Sequence, residues 1–139
     1  MLERFLSSAP NPEAGSFVGR AMWCGVEVRV ELCGADEARL RLAAAAAETV
    51  FAAQHEWDAR LKQCAVDQLL SLKNTTWLDE DDEAVLADDF IARLTLMSVH
   101  VDDEGGFIFW WDDGDLFWGH TVEVSGNLAD SVLRAEIVG

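Results

Sequence analysis

Phe107-Ile108-Phe109-Trp110-Trp111, followed by Asp112-Asp113-Gly114-Asp115, is the stretch on which the fold turns. Side chains along a strand alternate between faces, so Phe107, Phe109 and Trp111 share one side while Ile108 and Trp110 share the other. Both sides are apolar. A strand of that kind belongs inside a sheet, covered on both faces. Helices can cover one of them. The other needs a terminal segment, a long loop or a second subunit, and symmetric dimers are the commonest oligomers.

Outward from this strand the pattern stays extended. Upstream, Met97, Val99 and Val101 alternate with Ser98, His100 and Asp102, and Asp103-Glu104-Gly105-Gly106 makes the turn between the two strands. Downstream, Asp112 to Asp115 is a second turn and Leu116 to Ser125 reads as a third strand, which gives an antiparallel meander. Val132 to Val138 is suited to a closing strand. Near the N-terminus Val26, Val28, Val30 and Leu32 alternate with Glu27, Arg29 and Glu31, and Phe17 to Trp23 can pair with them through a tight turn at Cys24-Gly25.

Between hairpin and meander the chain is helical in character. Asp36 is a suitable N-cap, and Ala38 to Lys73 contains neither Gly nor Pro. Leu42, Val50, Trp57, Leu61, Leu69 and Leu72 recur at sums of threes and fours, with alanines between. Unbroken, such a helix would run about 50 Å, longer than so small a body, so a break is expected near His55 to Asp58, with Asp58 capping the second piece. Asp79-Glu80-Asp81-Asp82-Glu83 reads as a solvated loop. A short helix follows, with Asp88 and Asp89 in its first turn and Phe90, Ile91 and Leu94 on its apolar side.

The expected fold is therefore α+β: an antiparallel sheet, made of an N-terminal hairpin and a C-terminal meander, with the long helical region packed on one face. Residues 1–15, with Ser7-Ser8-Ala9-Pro10-Asn11-Pro12, form a loosely ordered start, and 16–139 form a single domain. Half of the 139 residues are hydrophobic, enough for one core without staples. The three cysteines (Cys24, Cys33, Cys64) are odd in number, widely spaced and lack a CxxC. Cys24 and Cys33 flank the hairpin, yet nothing resembling an export signal opens the chain. No apolar run reaches the length of a membrane span. A cytoplasmic, reducing setting is expected.

Charge narrows the function. A formal net charge of −16, from 26 acidic and 10 basic residues, repels phosphate backbones and anionic membranes, so neither nucleic acid nor membrane is an expected partner. A basic protein or a cation is favoured.

The densest chemistry lies in Trp110 to His120. Asp112, Asp113, Asp115, Trp118 and His120 are the candidate functional cluster, able in principle to bind a divalent cation or to act as acid and base. Their spacing matches no EF-hand and no zinc motif, so neither metal nor cofactor is assigned. The plain reading is a turn whose aspartates bond local backbone N–H groups while Gly114 takes a positive φ. Strand alternation would place His120 beside Trp118, Val122 and Val124 on the apolar face, as a hydrogen-bonded core histidine or a general base oriented by one of the aspartates. Neither a Ser nor a Cys nearby makes an obvious nucleophile, so no catalytic residue is assigned. The six tryptophans suit a core or an interface.

Phe90 to Leu96, Phe107 to Trp110, Asp112-Asp113-Gly114-Asp115-Leu116-Phe117-Trp118-Gly119-His120, Val124 to Leu128 and the Glu56-Trp57-Asp58 region together resemble an uncharacterised bacterial protein family, domain of unknown function 2262. The likeness covers roughly residues 17 to 139. Where the family often opens the short helix with Thr-Pro, this chain has Ala87-Asp88, which alters a cap. The resemblance implies no activity, cofactor or catalytic residue. Small acidic bacterial proteins of this general build include toxin-neutralising immunity proteins, an analogy of build and not of motif. The expectation is a non-catalytic acidic binding protein, of immunity type, engaging a basic partner. The alternative is a cation-binding protein or enzyme using Asp112, Asp113, Asp115 and His120.

Overall fold

The computed structural model describes residues 16–78 and 83–139, apart from the side chain of Ser131. The expected N-terminal segment and four residues of the acidic run, Asp79 to Asp82, lie outside this range. Six strands form one sheet in the order β1-β2-β3-β4-β5-β6: β1 Ser16–Trp23, β2 Val26–Cys33, β3 Thr95–Asp102, β4 Gly106–Asp112, β5 Thr121–Asn127 and β6 Asp130–Val138. Three helices are described between β2 and β3: α1 Glu37–Ala52, α2 Gln54–Thr76 and α3 Ala87–Arg93.

The hairpin forms because Trp23 and Val26 pair across a two-residue turn in which Cys24 and Gly25 both have positive φ, 47° and 85°. Such turns match the right-handed twist of their strands. All pairings are antiparallel except β2 with β3, which run parallel and join the hairpin to the meander across the helical crossover.

Register builds the core. Val30, Val99, Phe109, Val124 and Ala135 lie opposite one another from β2 to β6, all buried. Each fully buried Val or Phe contributes roughly 1.5–3 kcal/mol relative to exposure. The Phe107-Trp111 strand is interior, as its pattern requires. Phe107, Phe109 and Trp111 are buried under the helices, while Ile108 and Trp110 are half-buried on the opposite face. There the Trp110 indole donates to Glu123 Oε1 at 3.0 Å. The alternation predicted for β3 has one interruption. Leu96 pairs with Trp111 and Ser98 with Trp110, leaving Met97 as the extra residue of a bulge. Leu96 is therefore buried and Met97 exposed.

The long helical region breaks at Ala53, two residues before the stretch from His55 to Asp58 where its sequence suggests. Asp36 caps α1 through the Arg39 N–H at 2.9 Å. At Ala53 the helix tightens, with the Ala53 N–H on the Val50 carbonyl. Gln54 then acts as a clip: its Nε2 donates to the Phe51 carbonyl, and its Oε1 accepts from the Cys24 N–H in the hairpin turn. Asp58 caps nothing. Its carboxylate sits inside α2, accepting from the Trp23 indole at 2.9 Å and pairing with Lys62 at 3.0 Å.

The buried stripe also differs from the expected one. Leu42 and Leu72 face solvent. The face of α1 turned to β2 and β3 is Leu40, Ala43, Ala44, Ala47, Val50 and Phe51, spaced by threes and fours. Small residues here let the helix approach the sheet closely. Gly34, just before α1, shows the same tightness, since a Cβ there would meet the Arg39 carbonyl carbon at 2.6 Å. On α2 the stripe Leu61, Cys64, Ala65, Leu69 ends in Lys73, whose buried ammonium donates to the Trp77 carbonyl at the helix C-terminus.

Candidate functional site

The aspartate-rich loop between β4 and β5 holds the residues singled out above. Leu116 to His120 do not form a strand. The loop runs from Asp113 to His120, with positive φ at Gly114, Asp115, Trp118 and Gly119, and β5 begins only at Thr121. Its organiser is Asp113, which is buried. Asp113 Oδ1 accepts from the Asp115 N–H at 3.0 Å, and Oδ2 accepts from Phe117 and Gly119 at 2.8 and 3.1 Å. Three backbone donors thus converge on one carboxylate. Gly114 supplies the positive φ expected of it and does more: a Cβ there would meet the Arg93 carbonyl oxygen at 2.6 Å, so the loop packs directly on the end of α3.

This loop buries Leu116 and Phe117 and turns Trp118 outward, 55% exposed. Trp77, at the end of α2, is the hub. Phe117, Trp118 and His120 all meet its ring edge-on, with centroids 5.7, 4.8 and 5.1 Å away. His120 is half-buried there, ahead of β5 rather than in the row of Val122 and Val124. Its Nδ1 lies 2.6 Å from the Phe117 carbonyl, which only accepts, so Nδ1 carries the proton. The ring is oriented by that carbonyl and not by an aspartate. Asp112 and Asp115 are exposed, and Asp112 Oδ2 reaches the Gly114 N–H at 3.4 Å.

Beside the loop opens a cleft of about 830 Å³, bounded by the end of α2, residues 83–85 and α3. Glu83, Asp89 and Asp115 bring carboxylates to it, Lys73 and Arg93 bring cations, and Trp118 supplies the aromatic edge.

Two further groupings were not legible in the sequence. In the hairpin turn, Cys24 Sγ lies 3.5 Å from His55 Nδ1. Burial, and then the Asp58 carboxylate, push this thiol above its ordinary value, which opposes thiolate formation. On the open sheet face, Glu31, Cys33 and His100 place one donor atom each within 4.8 Å of the others. An i, i+2 Glu-Cys pair on one strand face was visible in the sequence. That His100 stands opposite Glu31 follows only from the parallel pairing.

The family described as "Uncharacterized protein conserved in bacteria", domain of unknown function 2262, matches residues 10–137. The chain belongs to this family. No curated protein and no solved structure matches it. The description of domain of unknown function 2262 names no activity. Among the described residues no helix is long and apolar enough to cross a membrane.

Proposed function

We propose that the protein is a non-catalytic acidic binding protein, of immunity type and acting in a reducing cytoplasm, which engages a basic protein partner at the cleft beside Trp118. The supporting observation is charge that the fold leaves uncompensated. Among the described residues, Arg20, Arg29, Arg39, Arg41, Lys62 and Arg134 are already in ion pairs with neighbouring carboxylates. Arg60 lies over the Trp57 ring and Lys73 is buried. The net charge of −16 stands after all ten cations are counted, and Arg93 is the cation that lines the cleft beside Lys73. Glu83, Asp89 and Asp115 rim the cleft, and Glu83 directly follows Asp79-Glu80-Asp81-Asp82 in the sequence. An exposed indole among carboxylates is the composition of an interface anchor that selects a cationic partner.

The alternative use of Asp112, Asp113, Asp115 and His120 as acid, base or cation ligands has less support. Asp113 spends its oxygens on three backbone N–H groups, and His120 spends Nδ1 on a carbonyl. A dimer through the open sheet face is favoured by the exposed Val18, Met22 and Met97 there, and sedimentation at micromolar concentration decides it.

Tagged protein recovered from native cells tests the main reading. A basic protein should copurify with the wild type and be lost from both Trp118→Ala and the charge-reversed Asp89→Lys/Asp115→Lys chain. Retention by both variants would place the interface elsewhere.

A further inference from the structure

Apart from the cleft, the open face of the sheet carries a polar trio whose dimensions are those of a metal site. Glu31 and Cys33 project from the same face of β2, two residues apart, and His100 stands opposite Glu31 on parallel β3. Cys33 Sγ lies 3.6 Å from Glu31 Oε1 and 4.0 Å from His100 Nδ1, and His100 Nδ1 lies 3.6 Å from Glu31 Oε1. Tetrahedral zinc has bonds of about 2.3 Å to sulfur and about 2.0–2.1 Å to nitrogen or oxygen, which sets its donors roughly 3.3–3.6 Å apart. The triangle is that size or a few tenths of an ångström wider on its thiol-imidazole edge. We propose that Glu31, Cys33 and His100 bind a zinc-class divalent ion, with a fourth position open to solvent.

Two features beyond the distances fit. Arg29 holds the other oxygen of Glu31, Oε2, at 3.4 Å, which leaves Oε1 directed at the thiol and imidazole. A thiolate and a carboxylate together neutralise a divalent ion. Against the ion, burial and then Glu31 raise the Cys33 thiol above its ordinary value, so a metal must displace its proton. Metal-free, the trio therefore holds a protonated thiol beside a carboxylate. Binding replaces the S–H bond with an S–metal bond and passes the proton to solvent. The ion would tie β2 to β3 at the parallel seam between hairpin and meander. Asp102, the register partner of Cys33, already spends Oδ1 on the Glu104 and Gly106 N–H groups.

Cobalt(II) titration of the reduced, metal-free full chain tests this. One equivalent should produce a thiolate-to-cobalt charge-transfer band with intense tetrahedral d–d bands, and one equivalent of zinc should displace it. Cys33→Ser should abolish the band, and His100→Ala and Glu31→Gln should weaken binding at least tenfold. Cys24→Ser should bind like the wild type. Circular dichroism melts of the metal-free variants show that each is folded. Absence of the band, or its survival in folded Cys33→Ser, overturns the site. So does its loss in Cys24→Ser, which would assign the metal to the Cys24-His55 pair. Neither result bears on partner capture at the cleft, whose variants leave the trio intact.

Discussion

Asp113 is the residue on which the aspartate loop depends. Truncating it strands three backbone donors, the Phe117 N–H buried and those of Asp115 and Gly119 partly so, and each unsatisfied buried group costs about 1–3 kcal/mol. Asp113→Ala should lose about 2–4 kcal/mol in urea unfolding. Asp112→Ala, on an exposed side chain, should stay within about 0.5 kcal/mol. Equal effects would mean that the loop is not organised by the buried carboxylate. The thiols give a second residue-scale prediction. Burial is the first cause that raises Cys24, Cys33 and Cys64 above the ordinary value of 9.0. The folded state then holds its thiol protons more tightly than the unfolded chain does. That contribution is complete below pH 9.0, the unfolded value, and is lost as pH rises through the folded ones. This contribution to unfolding free energy should stay level from neutral pH to 9.0 and fall above it, less steeply for Cys64→Ala, where the most buried thiol is gone. An unchanged slope would contradict the assignment. The turn and its Gly114 were legible because Asp and Gly announce turns. The extent of the loop was not. Trp118 and His120 keep the spacing of a strand, and positive φ at Asp115 and Trp118 leaves no mark in the sequence.

At the scale of elements, α1 is held to the sheet by its small residues. Ala47 is fully buried and Leu42 is half exposed, the reverse of what side-chain size alone suggests. Ala47→Leu should cost about 1–3 kcal/mol through overpacking. Leu42→Ala should stay within about 0.5 kcal/mol. Thermal melts of the two variants check the pair, and a costly Leu42→Ala would mean the helix is rotated from this placement. Strand faces were readable here because alternation is intrinsic to the pleat, and the aromatic run from Phe107 to Trp111 takes the interior place that its two apolar faces demand. The partner of each strand was less readable. Periodicity says which way a side chain points and not which strand lies beside it, so the parallel β2-β3 seam, and with it the meeting of Glu31, Cys33 and His100, stayed hidden. The helix break was foreseen from length, but its position was set by Gln54 reaching back to the hairpin turn, a tertiary contact.

For the whole molecule, the net charge of −16 is the property that most needs a purpose. Self-repulsion of that size should make the fold salt-sensitive: the melting temperature should rise as sodium chloride goes from 10 mM to 0.5 M, where the screening length shrinks from about 30 Å to under 10 Å. A flat melting temperature would mean that the carboxylates are dispersed too widely to repel. The same charge is what a basic partner would exploit. The most direct measurement is the dissociation constant of the copurified partner across that salt range. Affinity should fall steeply with salt for the wild type, and less steeply for Asp115→Asn, which removes one cleft carboxylate without reversing charge. Binding that is indifferent to salt, or equally salt-dependent in both chains, would contradict an acidic cleft as the recognition surface.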